Sequence, residues 1–321
     1  MANDFFKPIE AAKVLANLAS EDAFLSALVS RNFQDDLLGG GKGSAPVSIK
    51  IPTTLIARER DIDDITTNIV MDEIAEATET FNLDRKHDYS AVPLSEADMT
   101  LNIQDFSAQV LKPQAEAIVD SLEHKLATKL LGVPETELLT AGGAPIAYDP
   151  ANPVAYFTQI RKALRKNGVA ADGINMLVGT EVYANLLDAN AITDASQSGS
   201  TAALREAGVG RVRGFNVVES TRVPDAEILA FHRDAVTLIT RAPVVPGGAS
   251  FGASVSEKGF SLRWLRDYLA DKTVDRSLVS TFSAVGILPT YKIERDYATR
   301  EVAVNKIENG GILHLDVSEN V

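Results

Sequence analysis

The side chains best suited to acid–base or metal chemistry are the four histidines, His87, His124, His232 and His314. They are scattered, and none forms an HExxH motif or an i, i+4 pair, so the sequence predicts no metal site. The chain has no cysteine, which excludes disulfides, thiolate nucleophiles and cysteine-bound metals. Adjacent acids at Asp35–Asp36 and Asp63–Asp64 stand in polar runs and are expected to be solvated, whereas a catalytic pair needs burial to separate its two pKa values.

Two glycine-rich segments resemble nucleotide-binding motifs, and each departs from the required pattern. In GGGKGS (39–44), Asp36 stands where a phosphate loop needs its first glycine, and Gly43 stands where it needs Ser or Thr. The glycines at 208, 210 and 214 miss the dinucleotide fingerprint because Arg213 occupies the third glycine's place and a strand follows instead of a helix. A flexible hinge for the first segment, and a helix cap followed by a tight turn for the second, are the better interpretations, and we predict no cofactor.

One tripeptide, His232-Arg233-Asp234, resembles the catalytic loop of a kinase. Ile239 stands where that loop needs Asn, and no DFG follows, so a structural histidine in a strand is favoured. No G-x-S-x-G nucleophile elbow is present either. The only tryptophan, Trp264, lies among large apolar residues and is expected in the core or at a subunit contact, with a ligand platform as the alternative. We predict no catalytic residues and no enzyme activity; an enzyme with a hidden buried site remains the third possibility.

Composition is that of a folded protein with about two domains' worth of chain: 321 residues, 45% hydrophobic and 23% charged. The net charge of −13 disfavours a sequence-specific DNA reader, since phosphates are repelled. A container for DNA would gain from a wall that does not bind its contents, although solubility explains the charge equally well. The start, MANDFFKPIEAAKV, predicts no secretory signal, and no run of about 18 apolar residues predicts a membrane span.

Periodicity in the first half predicts helices and one extended excursion. Residues 8–30 favour two short helices, with Ser20 as the N-cap of the second. Alternation of apolar residues predicts a strand at 47–51, and the polar region up to about Asp98 predicts a two-stranded extended excursion that needs a neighbour to lie on. Residues 106–131 carry the clearest helical stripe, which Gly132 and Pro134 end.

In the second half, the elements predict a mixed α/β part followed by a β-rich end. A turn-rich linker begins at Ala141, then come a helix ended by Gly168, a buried strand at 174–179 and a helix capped by Thr180. Further strands are predicted in 207–241, and long strands with interleaved charges follow Pro246.

The order of four stretches resembles the major capsid (coat) proteins of tailed bacteriophages, which have the Hong Kong 97-type fold. The stretches are AAKVLANLASEDAFLSALVSRNF, NIQDFSAQVLKPQAEAIVDSLEHKL, GVGRVRGFNVVEST and AFHRDAVTLITR. The resemblance implies an α+β fold with an N-arm, an extended β-hairpin loop, a spine helix, and peripheral and axial domains.

Carried over by position, the resemblance implies five segments. Residues 1–40 are the N-arm, 41–100 the extended loop, 101–150 the peripheral domain with the spine helix, 151–240 the axial domain, and 241–321 the β-rich return to the peripheral domain with a C-terminal tail. The tail from Leu288 is either an extra strand pair or a contact arm. Lys42, Lys50 and Lys86 lie in or near the loop, but nothing favours covalent cross-linking of subunits.

The function implied by the resemblance is structural: self-assembly into an icosahedral shell around a double-stranded DNA phage genome. The implied partners are other copies, as pentamers and hexamers, together with portal and scaffolding proteins and DNA bound without sequence specificity; no membrane is involved. The implied location is the virion, assembled in the host cytoplasm. The alternative is an encapsulin-like nanocompartment that houses enzyme cargo.

Inter-subunit contacts are predicted where the loop carries both charge signs. The sequence RERDIDD offers Arg58, Glu59, Arg60 and Asp61 for setting the register between copies.

Overall fold

The structure is a computed structural model that describes residues 8–31, 47–51, 55–66, 68–71, 77–81, 87–95, 106–189, 211–249 and 251–320. Several positions named above lie outside the described residues: Asp35, Asp36, the glycine-rich segment at 39–44 with Lys42, Lys86, Gly208 and Gly210. Contacts divide the chain into two compact units. The first holds residues 1–47, 82–129 and 236–286, and the second holds 48–81, 130–235 and 287–321.

The described helices are α1 (Pro8–Asp22), α2 (Lys112–Leu131), α3 (Pro153–Lys166) and α4 (Thr180–Asp188). A π-helical turn (Ser107–Leu111) leads into α2, and 3-10 turns occupy Leu25–Ala27, Arg233–Ala235 and Ser318–Asn320. The described strands are β1 (Val47–Ile51), β2 (Ala77–Phe81), β3 (His87–Ser95), β4 (Ile174–Val178), β5 (Arg211–Val212), β6 (Phe215–Glu219), β7 (Glu227–His232), β8 (Val236–Arg241), β9 (Phe251–Glu257), β10 (Phe260–Leu269), β11 (Val274–Ile287), β12 (Thr290–Asp296), β13 (Glu301–Ile307) and β14 (Ile312–Asp316).

The first unit is built on a sheet of order β3-β11-β10-β9, with β8 also paired to β11. Helix α1 buries one face through small and apolar residues at helical spacing, Ala11, Leu15 and Ala19. These residues share a core with α2 and with Trp264 of β10. Trp264 is therefore a core residue.

A buried amide joins α2 to this sheet. The Gln114 Nε2 group donates to the carbonyls of Ser90 on β3 (3.1 Å) and Ser277 on β11 (3.0 Å). Its Oε1 accepts from the Ser277 hydroxyl (2.8 Å), which accepts in turn from the Trp264 indole N–H (3.0 Å). Both amide protons of Gln114 are used, so the network fixes one register of helix on sheet.

Two carboxylates extend this polar seam along α2. Asp88 Oδ2 on β3 accepts from Lys125 Nζ (2.7 Å) and from the Ser283 hydroxyl (2.7 Å). Two residues before Lys125 on the same helix, Glu123 Oε1 accepts from the backbone N–H groups of Phe24 (2.6 Å) and Leu25 (2.8 Å). The spine helix predicted from the sequence is thus held on both sides, by the sheet and by the N-terminal segment.

The second unit contains a sheet of order β14-β7-β4-β6-β5, in which β4 and β6 are parallel. The central strand β4 is buried at every residue, and α3 packs Phe157, Ile160 and Leu164 into the same core. Gly179 joins β4 to α4, where an added Cβ would clash with the carbonyls of Pro224 and Asp225. Only glycine fits that approach.

The N-terminal helix prediction is correct only in part. Residues 8–22 form α1, but the second predicted helix is only a single 3-10 turn, and the backbone N–H groups of Phe24 and Leu25 at its start donate to Glu123. Ser20 lies inside α1 and donates to the Asn17 carbonyl instead of capping a new helix. Thr180 is likewise the first helical residue of α4, and its hydroxyl donates to Asp225 Oδ1 (2.7 Å).

The predicted two-stranded excursion and the predicted strand pair of the tail both have counterparts in the structure. Strands β1 and β2 form a two-stranded sheet, as predicted, whereas 87–95 form β3 of the first unit's sheet. The tail contains the predicted strand pair, β12–β13, and its last strand β14 joins the sheet of the second unit. The five-part division into arm, loop and domains stays a prediction.

The Gln114 network yields a stability prediction. Gln114→Leu leaves two carbonyls and a hydroxyl buried without their partner, so we expect the free energy of unfolding to fall by about 2–4 kcal/mol. Urea denaturation of the full chain measures it. Glu116→Gln is the control, since Glu116 is exposed on the same helix and pairs loosely with Lys112 (3.8 Å); a change within about 0.5 kcal/mol is expected there. Equal effects of the two substitutions would contradict the prediction.

Candidate assembly surface

A segment of the second unit, described at residues 55–66 and 68–71, exposes a run of large apolar side chains. Ile56 is buried, but Ile62 is 96% exposed, Ile65 is 93% exposed and Met71 is 89% exposed. Ile69 and Val70 are exposed as well. Singly exposed apolar residues are ordinary, whereas several along one stretch mark an interaction surface. We call residues 55–66 and 68–71 the apolar loop.

One arginine ties the start of the apolar loop to the turn between β12 and β13. Arg300 Nη2 donates to Glu59 Oε2 (2.8 Å), and Nη1 donates to the carbonyl of Ala57 (3.3 Å). The guanidinium lies over the Tyr297 ring, 6.0 Å from its centroid. Arg300 has a left-handed backbone (φ +59°), which is uncommon for a side chain of this size. The surrounding turn therefore holds Arg300 in a backbone conformation that costs free energy for a residue other than glycine.

A carboxylate organises the same turn. Asp296 Oδ1 accepts from the backbone N–H of Ala298 (2.8 Å) and of Thr299 (3.4 Å). The hydrogen bond from Ala298, followed by those from Thr299, lowers the pKa of Asp296, because they stabilise the ionised form. The ionised carboxylate thus helps to hold the loop that carries Arg300.

Strands β12 and β13 form a two-stranded antiparallel sheet, here called the ribbon, with two unlike faces. The register pairs Tyr291 with Lys306, Ile293 with Val304 and Arg295 with Val302 on one face. The opposite face is mainly polar and holds Lys292, Glu294, Asp296, Glu301 and Asn305 together with Thr290, Ala303 and Ile307. Ile293 and Val304 are both exposed, so the apolar face is open.

All four predicted contact residues lie at the start of the apolar loop. Arg58, Glu59, Arg60 and Asp61 are exposed, and Glu59 is bound to Arg300 within the chain. Their role between subunits stays a prediction. Sequence reasoning did not identify Arg300 or the ribbon face, because Arg300 stands far along the chain from the loop, and no local pattern links them.

The histidines have structural roles where the structure shows their contacts. His232 Nδ1 accepts from the N–H of Asp234 (3.2 Å), and Nε2 lies 2.8 Å from the Asp172 carbonyl, so the kinase-like tripeptide forms a strand-to-turn corner. His314 is buried, with Nδ1 2.9 Å from the Val133 carbonyl and Nε2 2.7 Å from Glu227 Oε2.

The remaining histidines belong to the first unit. His87 packs against Phe282 (5.2 Å between ring centroids), and its pKa is lowered, first by burial and then by the charge of Arg263. His124 is exposed on α2. Among the described residues, no three His, Asp or Glu side chains gather in a way that could hold a metal ion.

Gly214 shows what the glycine-rich segment before β6 does. Arg213 and Gly214 both have left-handed backbones (φ +49° and +87°) and form the two-residue turn between β5 and β6. This is the conformation of a tight β-hairpin turn. The tight turn predicted from the sequence is therefore confirmed at this position.

Comparison with solved structures gives whole-chain matches at low sequence identity. A chain from Mycobacterium phage Che8 superposes with a TM-score of 0.59 and 18% identity, covering 92% of each chain. The capsid of cyanophage P-SCSP1u gives a TM-score of 0.54 and 13% identity over 86% of this chain and 84% of that one. The chain has the Hong Kong 97-type capsid fold. A virus-like particle from Pyrococcus furiosus also matches, with a TM-score of 0.50 and 12% identity over 98% of this chain and 100% of that one.

Sequence comparison alone does not reach these capsid proteins: no family model and no curated protein matches the chain. In the described part of this capsid-fold chain, none of the helices has the length and apolar character needed to cross a membrane.

The contact between Arg300 and the apolar loop yields a proteolysis prediction. Arg300→Ala removes the bonds to Glu59 and Ala57, so we expect trypsin to cleave the unassembled chain after Arg58 or Arg60 about 2–5 times faster. That range corresponds to about 0.4–1 kcal/mol for a surface ion pair. Mass spectrometry of the fragments over time measures the rate. Arg295→Ala, at an exposed arginine of the same ribbon, serves as the control and is expected to leave the cleavage rate unchanged. Equal acceleration by the two substitutions would contradict the role of Arg300 in holding the apolar loop.

The Asp296 turn yields a pH prediction. Because its pKa is lowered on folding, the carboxylate stabilises the turn above the unfolded-state value of about 3.9, and this contribution is lost as pH falls through the folded value. We expect the amide proton signals of Ala298 and Thr299 to shift together below about pH 4 in an NMR titration. In Asp296→Asn, which keeps an oxygen acceptor, the amide signals should stay constant over that range. A shift that persists in Asp296→Asn would show that another group is responsible.

Proposed function

We propose that the chain is the coat subunit of a tailed bacteriophage and self-assembles into the closed icosahedral shell that surrounds its double-stranded DNA. The observation that supports this most is the fold match along nearly the whole chain, including 86% of it to a phage capsid. The exposed apolar loop supports it independently, since an isolated chain leaves that surface in water.

Assembly follows from contacts that each copy makes with the next in a head-to-tail sense. Such heterologous contacts close into rings, here pentamers and hexamers, when the rotation closes. Each contact is modest, and many contacts per subunit sum to a stable shell. Arg58, Arg60 and Asp61 set the register between neighbours in this proposal, while Glu59 positions the loop through Arg300.

The contents and partners of the shell follow from its charge and its role. A chain of net charge −13 does not bind DNA strongly through its surface as a whole, which suits packaged DNA held without sequence specificity. A portal and a scaffolding protein are the further partners, assembly takes place in the host cytoplasm, and the mature location is the virion. The coat subunit is not an enzyme.

A second candidate is a nanocompartment shell that houses protein cargo instead of a genome. The similarity to the virus-like particle from Pyrococcus furiosus over 98% of this chain favours keeping it. The contents of particles isolated from the native source separate the two: DNA supports the phage shell, and a uniform protein cargo supports the nanocompartment.

Negative-stain electron microscopy of the purified chain tests self-assembly directly. We expect closed shells or capsomer rings for the unmodified chain, with a candidate scaffolding protein supplied where needed. The double variant Ile62→Asp/Ile65→Asp should stay dispersed by light scattering with unchanged circular dichroism, because it places charge on surface that assembly buries. Val244→Asp is the matched control: Val244 is 83% exposed in the first unit, away from the apolar loop in sequence, and should still assemble. A monomer from the unmodified chain under all of these conditions would overturn the proposal.

A further inference from the structure

The geometry of the ribbon points to a docking site for the apolar loop of a second copy. We infer that residues 61–71 of one subunit bind the apolar face of the β12–β13 ribbon of another. This inference rests on the proposed function, since it names the partner surface used in self-assembly.

The receiving face combines exposed apolar side chains with two cations. Ile293 and Val304 lie directly across from each other at its centre, with Tyr291 and Val302 in the neighbouring pairs. Arg295 stands at one end and Lys306 at the other, and Lys306 also pairs with Glu308 (2.9 Å). A two-stranded ribbon with one open apolar face is marginal in water and is stabilised when that face is covered.

The apolar loop has the complementary composition. Ile62 and Ile65 alternate with acids, Asp61 and Asp63, and all four of these side chains are exposed. Its isoleucines can cover the apolar centre of the ribbon while its carboxylates approach Arg295 and Lys306. Such paired apolar and charged contacts give both burial and register.

Charge also selects which face of the ribbon is used. The opposite face carries Glu294, Asp296 and Glu301, which repel an acidic loop. Lys292 on that face is already paired with Glu294 (2.5 Å). The face that holds Ile293 and Val304 therefore combines exposed apolar side chains at its centre with a cation at each end, whereas all three acidic side chains of the two strands lie on the opposite face.

The loop of the same chain does not cover this face. Arg300 fixes residues 57–59 at the turn end of the ribbon, and from Ile62 onward the isoleucines point into solvent, with Ile62 96% exposed and Ile65 93% exposed. The ribbon face and the apolar loop are both left uncovered within one chain. Each becomes covered when the loop of one copy binds the ribbon of the next in a head-to-tail sense.

The absence of cysteine from the chain allows a clean cross-linking test. Ile65→Cys and Val304→Cys chains are prepared separately, mixed, assembled and treated with a short bismaleimide reagent. The product containing one chain of each kind, identified by mass spectrometry, can form only between subunits. The matched control replaces Val304→Cys with Ala303→Cys, the adjacent residue on the opposite face of the ribbon. We expect the mixed product to be about tenfold more abundant with Val304→Cys than with Ala303→Cys.

The outcomes separate this inference from the proposed function. Particles seen by electron microscopy without preferential cross-linking at Val304 overturn the inference alone. No particles from the unmodified chain overturn the proposed function and this inference with it. Charge reversal gives a second measurement: Arg295→Glu should raise the concentration needed for assembly several-fold, and adding Asp63→Arg should restore it, whereas failure of that rescue in assembling variants counts against the contact.

Discussion

The buried amide of Gln114 is the constraint on which the first unit depends most. Helix α2 lies on the sheet mainly through apolar side chains, which alone would tolerate a shift of the helix along its axis. The amide excludes such a shift, because moving it by one turn leaves the Ser90 and Ser277 carbonyls and the Ser277 hydroxyl buried without their partner. The same hydroxyl holds the indole of Trp264, so the largest core side chain is fixed by the same network.

A different constraint governs the surface of the second unit, where apolar side chains are left uncovered. Ile56 is buried and Glu59 is bound to Arg300, so the N-terminal end of the apolar loop is held in place even though Ile62 and the later isoleucines contact water. In the proposed assembly, holding one end of the loop in place lowers the conformational entropy lost when the loop binds a neighbour, so that modest contacts suffice. The left-handed backbone of Arg300 and the Asp296 turn are the local features that keep this end of the loop in place.

Sequence patterns predicted the elements of this chain better than its long-range contacts. The stripe of apolar residues at 106–131, the buried strand near 174 and the two-stranded excursion are all present, since each depends on local periodicity. The second N-terminal helix was predicted wrongly, since only a 3-10 turn forms there, and the contact of its first amides with Glu123, almost a hundred residues away, is not indicated by local periodicity. The Arg300–Glu59 ion pair could not be predicted for the same reason, because nothing in a single sequence indicates that two distant charged residues are neighbours in the fold.

In the proposed assembly, the distribution of charge allows a chain of net charge −13 to bind copies of itself. Uniformly distributed negative charge would oppose every contact between subunits. The apolar face of the ribbon carries two cations, whereas its opposite face carries three acids and residues 61–65 of the apolar loop carry further acids. In the inferred contact, one orientation of neighbouring copies is therefore attractive and the reversed ribbon face is repulsive. Directional contacts of this kind favour a closed shell over an amorphous aggregate.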